Sequence, residues 1–156
     1  VEQVLENYRH LDIEVLPGIT AMLAASARAG APLGHDFCAI NLSDNLKPWE
    51  LIEKRLRLAS EADFAMAFYN PRSKSRPDGF AKALDVLKAC CKDDRPVIFA
   101  RAVSTNDETI NIVGLSQTTA EMADMRTMVI VGSSHTRLIQ RTGQTPWVYT
   151  PRSVPE

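Results

Sequence analysis

The stretch Glu14-Val15-Leu16-Pro17-Gly18-Ile19-Thr20-Ala21-Met22 joins an apolar run to a segment of small residues through a Pro-Gly break. Gly18 has no Cβ, so a ligand could approach its backbone closely, and the first N–H groups of a helix have no partner within that helix. Thr20 could cap the helix or bind a ligand. The stretch therefore predicts a strand, a turn and a helix start that offer exposed backbone to a ligand.

Composition and charge narrow the class of protein. The chain has 156 residues, 45% of them hydrophobic, and a formal net charge of −1. This length suits one domain, or a smaller domain attached to part of another. Because the chain has no basic excess and no apolar run long enough to cross a bilayer, we expect a cytoplasmic protein without a nucleic-acid or membrane partner.

Six apolar runs predict strands. Several of these runs are continuous rather than alternating, which is typical of strands covered on both faces. The runs lie at residues 13–16, 37–42, 64–69, 97–101, 109–113 and 128–131.

Amphipathic segments between these runs predict helices. Residues 19–29 are rich in alanine and end at Gly30, with Pro32 just beyond, which is a typical helix terminus. A second helix begins at Pro48, and a third carries one apolar stripe through Phe80, Leu84, Leu87 and Cys91. The alternation of strands and helices predicts an α/β fold in layers.

A Gly- and Pro-containing segment, Arg28-Ala29-Gly30-Ala31-Pro32-Leu33-Gly34-His35, indicates a domain boundary. We assign residues 1–33 to one unit and residues 34–156 to a second. One strand and one helix cannot cover their own apolar surface. We therefore expect the first unit to be the end of a larger domain whose beginning is absent, so that the chain is truncated.

Several stretches, in order along the chain, resemble the tetrapyrrole (corrin/porphyrin) methylases, which use S-adenosylmethionine. The resemblance covers essentially the whole chain. It is carried by Val15-Leu16-Pro17-Gly18-Ile19-Thr20, Gly30-Ala31-Pro32-Leu33, His35-Asp36-Phe37-Cys38-Ala39-Ile40, Leu42-Ser43-Asp44, Pro48-Trp49-Glu50, Phe68-Tyr69-Asn70-Pro71, Met125-Arg126-Thr127, Gly132-Ser133-Ser134 and Val148-Tyr149-Thr150-Pro151-Arg152.

The resemblance implies a fold and an activity. The fold is a mixed sheet flanked by helices, with most of the N-terminal domain missing. The activity is methylation of precorrin-3B at ring carbon 17 by S-adenosylmethionine, with ring contraction, in a homodimer of the corrin pathway. Family members carry a glycine-rich loop and an acidic loop in the N-terminal domain, and neither precedes Val1. We therefore expect the chain alone to be inactive.

Three alternatives stay open. One is a related enzyme that methylates another corrin carbon. A second is a nucleotide-binding oxidoreductase, although the G-x-G-x-x-G fingerprint that this class predicts is absent from the sequence. The third is a non-catalytic module that dimerises through exposed apolar faces.

The resemblance also implies that the cofactor contacts strand ends, where open α/β sheets bind ligands. Phe68 and Met128 could equally be core residues, and the Pro-Gly pair could be only a tight turn. The implied cofactor-binding residues are Pro17, Gly18, Thr20, Phe68, Tyr69, Asn70, Ala100, Arg101, Thr127 and Met128.

The loop Asn70-Pro71-Arg72-Ser73-Lys74-Ser75-Arg76-Pro77 is the main substrate candidate. Arg72, Lys74 and Arg76 would suit a ligand with many carboxylates, such as a precorrin, because arginine binds carboxylates through two parallel hydrogen bonds. The alternative is an ordinary solvated loop.

Ser43 and Asp44 are further candidates for binding the substrate ring, since they follow a predicted strand. The alternative is that one of Ser43, Asp44 or Asn45 caps the next helix. The sequence predicts no catalytic side chain. It also predicts no metal site, because its three histidines and three cysteines lack ligand spacing.

Overall fold

The computed structural model describes residues 6–73 and 77–153. The strands are β1 (Gly30–Ala31), β2 (Phe37–Asn41), β3 (Ala65–Tyr69), β4 (Pro96–Arg101), β5 (Thr109–Gly114), β6 (Thr127–Val131), β7 (Arg137–Arg141) and β8 (Gln144–Tyr149). The helices are α1 (Ala21–Ala29), α2 (Trp49–Glu61) and α3 (Gly79–Cys90), and short 3₁₀ turns lie at Leu115–Gln117 and Ala120–Met122.

Five strands form a mixed sheet in the order β2-β3-β6-β4-β5. Strands β2 and β3 are parallel, and the other neighbours are antiparallel. The carboxyl ends of β2, β3 and β4 therefore meet the amino ends of β5 and β6. We call this side of the sheet the Tyr69 edge, defined by Asn41, Tyr69, Arg101, Thr109 and Thr127.

Helices α2 and α3 cover one face of this sheet. Because successive side chains of a strand point to opposite faces, every second residue of the central strands contributes to this core. Phe80 of α3 packs edge-on against Phe99 of β4, with ring centroids 6.0 Å apart. The fully buried members of this core include Ile52, Leu56, Met66, Phe68, Phe80, Leu87, Val97, Val129 and Val131.

Helix α1 covers part of the opposite face. Its inner side carries Ala25 and Ala29, which have almost no exposed surface and allow the helix to lie close to the sheet. These alanines pack with Ala67, Ile98, Ala100, Met128, Ile130 and Val148. A second, three-stranded sheet in the order β1-β8-β7 continues from the end of α1.

The predicted α/β class and the mixed sheet are confirmed, and five of the six predicted strands are present. The exception is residues 13–16, which form no strand in the structure. Val15 and Leu16 are 82% and 75% exposed, and a strand exists only where its backbone finds a pairing partner. All three predicted helices are present, and α1 begins two residues later than expected.

The hairpin β7–β8 was not predicted. Its strands carry Arg137, Arg141 and Pro146, and their outer faces are solvated, so the sequence lacks the apolar run of a buried strand. The Thr142-Gly143 pair between the strands is the signal that could have found the hairpin. The proposed division into residues 1–33 and 34–156 stays a prediction. None of the helices in the described ranges is long and apolar enough to cross a membrane.

Replacement of Gly30 by alanine should destabilise the protein strongly. Gly30 has φ +127°, and a Cβ there would lie 2.6 Å from the Val148 carbonyl oxygen. Backbone strain and the clash together predict a loss of about 3 kcal/mol in the free energy of unfolding, measured by urea titration.

Gly143→Ala is the matched control. Gly143 also has positive φ, at +67°, but a Cβ there would have no neighbour within 4 Å. Its replacement should cost only about 1 kcal/mol. Equal losses for the two variants would contradict the close contact between β1 and β8.

Candidate ligand-binding site

A groove of about 710 Å³ lies at the Tyr69 edge, between α1 and the ends of the central strands. Its walls combine small apolar side chains with a few hydrogen-bonding groups, which is the usual character of a small-molecule site. The apolar walls come from Ile19, Ala21, Leu23, Ala24, Ala27, Ala100, Ala102, Val103, Met125 and Met128. The polar ones come from Arg28, Tyr69, Asn70, Ser104, Arg126 and Thr127.

Successive side chains of a strand point to opposite faces of the sheet, so only some of the predicted cofactor residues line this groove. Tyr69, Ala100 and Met128 belong to the face that α1 covers, and all three line the groove together with Asn70 and Thr127. Phe68 points to the opposite face and is fully buried in the core with α2 and α3. Its side chain therefore does not reach the groove.

The predicted turn lies outside the groove wall. Pro17 and Gly18 are exposed, and a Cβ at Gly18 would have no neighbour within 4 Å. Thr20 precedes α1 but makes no side-chain cap to the helix. Instead its hydroxyl is hydrogen-bonded to the Tyr69 hydroxyl, which also accepts a 3.4 Å hydrogen bond from the Met22 N–H. Of the two roles considered for Thr20, capping is wrong, because Tyr69 accepts from the helix N–H.

Three groove residues have left-handed backbone: Asn70, Ala102 and Ser104, the last with φ +66°. Asn70 follows β3 with φ +51°, and Ala102 follows β4 with φ +50°. Asparagine tolerates this conformation, whereas for alanine it costs about 1 kcal/mol, and such strain is concentrated at functional sites. The Asn70 amide donates a 3.2 Å hydrogen bond to the Asn41 side-chain oxygen, so β2 and β3 are tied together beside the groove.

Arg101 does not line the groove, although its neighbours do. Its guanidinium donates a 2.7 Å hydrogen bond to Asp124, which also accepts hydrogen bonds from the Thr127 hydroxyl at 2.7 Å and the Arg126 N–H at 2.9 Å. Partial burial by itself raises the pKa of Asp124, but these hydrogen bonds outweigh it and lower the pKa below its ordinary value. Arg101 therefore fixes the loop that carries Thr127.

A second carboxylate connects α1 to the loop after β4. Glu108 accepts hydrogen bonds from the Ser104 N–H at 2.8 Å and from Arg28 at 2.6 Å. Both hydrogen bonds lower the pKa of Glu108. Arg28 on α1 and Ser104 in the loop after β4 both line the groove, so Glu108 connects these two parts of its wall.

Arg72, from the predicted substrate loop, lines a second recess of about 540 Å³. Pro77, Ala123 and Asp124 form other parts of its wall, and Met125 and Arg126 line both this recess and the groove. The groove and the second recess are therefore neighbours.

Lys74 and Arg76 lie outside the described residues, so their predicted role stays a prediction.

Asp44 lines a third, smaller recess of about 180 Å³, which also includes Asn70 and Lys82. Ser43 does not line it, and the Ser43 hydroxyl accepts a 3.5 Å hydrogen bond from the Asn45 N–H. The capping alternative for Ser43, Asp44 and Asn45 is wrong, because α2 follows Pro48 and has no side-chain cap. Of the predicted substrate residues that are described, Arg72 and Asp44 thus line different recesses, and Ser43 lines neither.

The sequence interpretation missed the contribution of α1 and of two loop residues, Ser104 and Arg126. Ala21, Ala24 and Ala27 recur at every third position and form one small-residue stripe along the groove. That stripe is a signal that the sequence contains. Within the described ranges, no three or more His, Cys, Asp or Glu side chains are grouped so as to hold a metal ion.

The mixed sheet and the groove at its strand ends define a small-molecule-binding α/β domain. The family model for Tetrapyrrole (Corrin/Porphyrin) Methylases matches residues 1–119. The chain belongs to this family, and the fold that the sequence resemblance implied is confirmed.

Two of the relatives that match the chain are named as C(17)-methyltransferases. The chain is 53% identical over 146 residues to a precorrin-3B C(17)-methyltransferase of a Sinorhizobium species, covering 94% of this chain and 58% of the relative. It is 43% identical to a probable cobalt-factor III C(17)-methyltransferase of Salmonella typhimurium, covering 94% of the chain and 61% of the relative. The crystal structure of the methyltransferase CobJ superposes with a TM-score of 0.87 at 59% identity, covering 96% of this chain and 62% of that one. The chain thus spans about three fifths of these proteins.

The Asp124 network predicts a specific response to acid. Because the pKa of Asp124 is lowered in the folded protein, its stabilising contribution is present above the ordinary carboxyl pKa and is lost as pH falls through the folded-state value. Asp124→Asn should therefore lose less free energy of unfolding than the wild type between about pH 5 and pH 2, measured by urea titration at each pH.

Asp85→Asn is the control, since Asp85 is an exposed carboxylate on α3. Its pH profile should run parallel to that of the wild type. If the Asp124 variant also ran parallel to the wild type, the network would contribute nothing to acid sensitivity.

Proposed function

We propose that this chain is part of an S-adenosylmethionine-dependent enzyme. The enzyme methylates precorrin-3B at carbon 17, with ring contraction, in corrin synthesis. The observation that carries this proposal is the apolar groove at the Tyr69 edge of a tetrapyrrole methylase domain. Support for the particular reaction comes from the 53% identity to the Sinorhizobium C(17)-methyltransferase.

The residues at the groove suit the proposed methyl donor. S-adenosylmethionine supplies a methyl group activated by positive sulfur and has no phosphates, so it needs no phosphate-binding loop. Ala24, Ala27, Ala100 and Met128 offer apolar surface for an adenine ring, and Tyr69, Asn70, Ser104 and Thr127 offer hydrogen bonds for polar atoms. Pro17 and Gly18 would join them only by backbone contact, which stays a prediction.

In this reaction the side chains have mainly to position the two ligands. Methyl transfer needs an in-line approach of the accepting ring carbon, so the protein has to hold two ligands in register and exclude water. The hydrogen bonds of Asp124 and Glu108 fix the groove walls, and the apolar side chains of α1 offer no hydrogen bonds to water beside the donor. A side-chain nucleophile is not required, and none is assigned.

The second recess is the proposed place of the ring substrate. It adjoins the groove at Met125 and Arg126, so a ring bound there would lie beside a donor bound in the groove. Arg72 lines this recess and would bind a substrate carboxylate, with Lys74 and Arg76 as further candidates. Asp44, which lines the third recess together with Asn70, and Ser43 would contact the ring edge.

The particular substrate has two candidate forms. The relatives are named for precorrin-3B and for cobalt-factor III, and both names specify carbon 17. Precorrin-3B is favoured because the identity is higher, at 53% against 43%. A cytoplasmic homodimer is part of the proposal, and the exposed apolar side chains of Val15, Leu16 and Ile19 suit burial against further protein.

A ligand titration tests the proposal. We expect calorimetry to show binding of S-adenosylhomocysteine, the demethylated donor, and no binding of NAD. Ala27→Leu should weaken the binding of S-adenosylhomocysteine at least about tenfold, because the larger side chain occupies the groove while the exposed helix position tolerates it.

Ala81→Leu provides the matched control, since Ala81 lies on α3 across the sheet from the groove. It should leave the affinity unchanged, and thermal unfolding should show that both variants are folded. Binding of NAD in place of S-adenosylhomocysteine, or equal affinities for the two variants, would contradict the proposed donor site.

A further inference from the structure

Arg126 lies between the groove and the second recess and contributes to the walls of both. It was not among the residues that the sequence predicted for the substrate. The inference drawn from it rests on the proposed function, because it concerns how a carboxylate-bearing ring would be held beside the donor groove.

The backbone of Arg126 is fixed at the sheet edge. Its N–H donates a 2.9 Å hydrogen bond to the Asp124 carboxylate, and its carbonyl oxygen accepts a 2.9 Å hydrogen bond from the Ala102 N–H. Asp124 is in turn held by Arg101 and Thr127. The point from which the Arg126 side chain extends is therefore rigid.

The guanidinium of Arg126, by contrast, has a weak and exposed partner. It donates to the Asp107 carboxylate at 3.2 Å, and the two side chains are 49% and 66% exposed. Exposed ion pairs of this kind contribute little to stability, because water and salt screen both charges. A ligand carboxylate could replace Asp107 at small cost.

Two other arginines at this edge are held differently. Arg28 is bound to Glu108 at 2.6 Å, and Glu108 also accepts the Ser104 N–H. Arg101 is bound to Asp124 at 2.7 Å, and Asp124 also accepts the Thr127 hydroxyl. Glu108 and Asp124 are each fixed by a second hydrogen bond, so the arginine bound to each of them has a structural role.

We infer that Arg126 is a substrate-binding residue that exchanges Asp107 for a carboxylate of the ring substrate. Its fixed backbone places the guanidinium at the boundary between the groove and the recess, where two-point binding of a carboxylate would orient the ring toward the donor. Arg72 lines the same recess and provides a second cation for a polycarboxylated ring. Asp107 then keeps Arg126 paired until the substrate arrives.

The test uses uroporphyrin III, a stable tetrapyrrole with carboxylate side chains, as the probe in fluorescence titrations. Arg126→Gln should weaken its binding about tenfold, which corresponds to about 1.4 kcal/mol. Asp107→Asn should instead strengthen binding about threefold, because it removes the competing carboxylate and one negative charge. Arg55→Gln, which removes an exposed cation on α2, should have no effect.

The opposite signs distinguish substrate exchange from a structural ion pair. If the pair only stabilised the loop, both Asp107→Asn and Arg126→Gln would break it and would change the affinity in the same direction. That result, or an unchanged affinity for Arg126→Gln, would overturn the inference.

Binding of S-adenosylhomocysteine is measured in parallel: it should be unchanged in Arg55→Gln and still detectable in the Arg126 and Asp107 variants, which would show that the groove is intact. If the wild type binds S-adenosylhomocysteine but not uroporphyrin III, the inference about Arg126 fails and the donor site stands. If the wild type binds neither ligand, the proposed function fails as well.

Discussion

The alternation of side chains along β3, β4 and β6 is the constraint on which the rest of the structure depends. These strands are buried on both faces, so each must supply apolar side chains to two cores at once. One set meets α2 and α3, and the other meets α1. Phe68 and Phe99 lie on the first face, whereas Ala67 and Ala100 lie on the second together with Ile98 and Ile130. The groove lies at the strand ends of the second face, where the small side chain of Ala100 lines it beside the alanines of α1.

The same alternation explains how far the sequence could predict the site. The strand ends could be located, since the runs that form β3, β4 and β6 are continuous and apolar. The sequence does not show which residue at each strand end faces the groove, because a run that is apolar on both faces has no periodic pattern. Tyr69 and Phe68 are therefore equivalent in the sequence, although one lines the groove and the other is fully buried.

Tertiary contacts account for the other differences between sequence and structure. The cap that was one of two roles considered for Thr20 is not formed, because the Thr20 hydroxyl and the Met22 N–H both bind Tyr69, a residue 49 positions from Thr20 along the chain. The apolar residues 13–16 satisfied a strand pattern, yet pairing depends on a partner that the local sequence does not specify. The hairpin β7–β8 is the opposite case, because its strands form although their solvated sequence lacks the apolar pattern of a buried strand. For Thr20 the deciding interaction is distant in sequence, whereas the hairpin forms between adjacent segments joined by Thr142-Gly143.

The arginines around the groove are paired with carboxylates, which suits the positive charge of the proposed donor. A sulfonium carries a positive charge, so uncompensated arginines beside it would oppose its binding. Arg28 and Arg101 are both paired with carboxylates that accept further hydrogen bonds, and these hydrogen bonds lower the pKa values of Glu108 and Asp124. Arg126 is neutralised more loosely, by Asp107. Among the described residues, positive charge is therefore balanced where the donor is proposed to bind, and the loosely paired Arg126 lies at the boundary with the recess, where an anionic ring would require a cation.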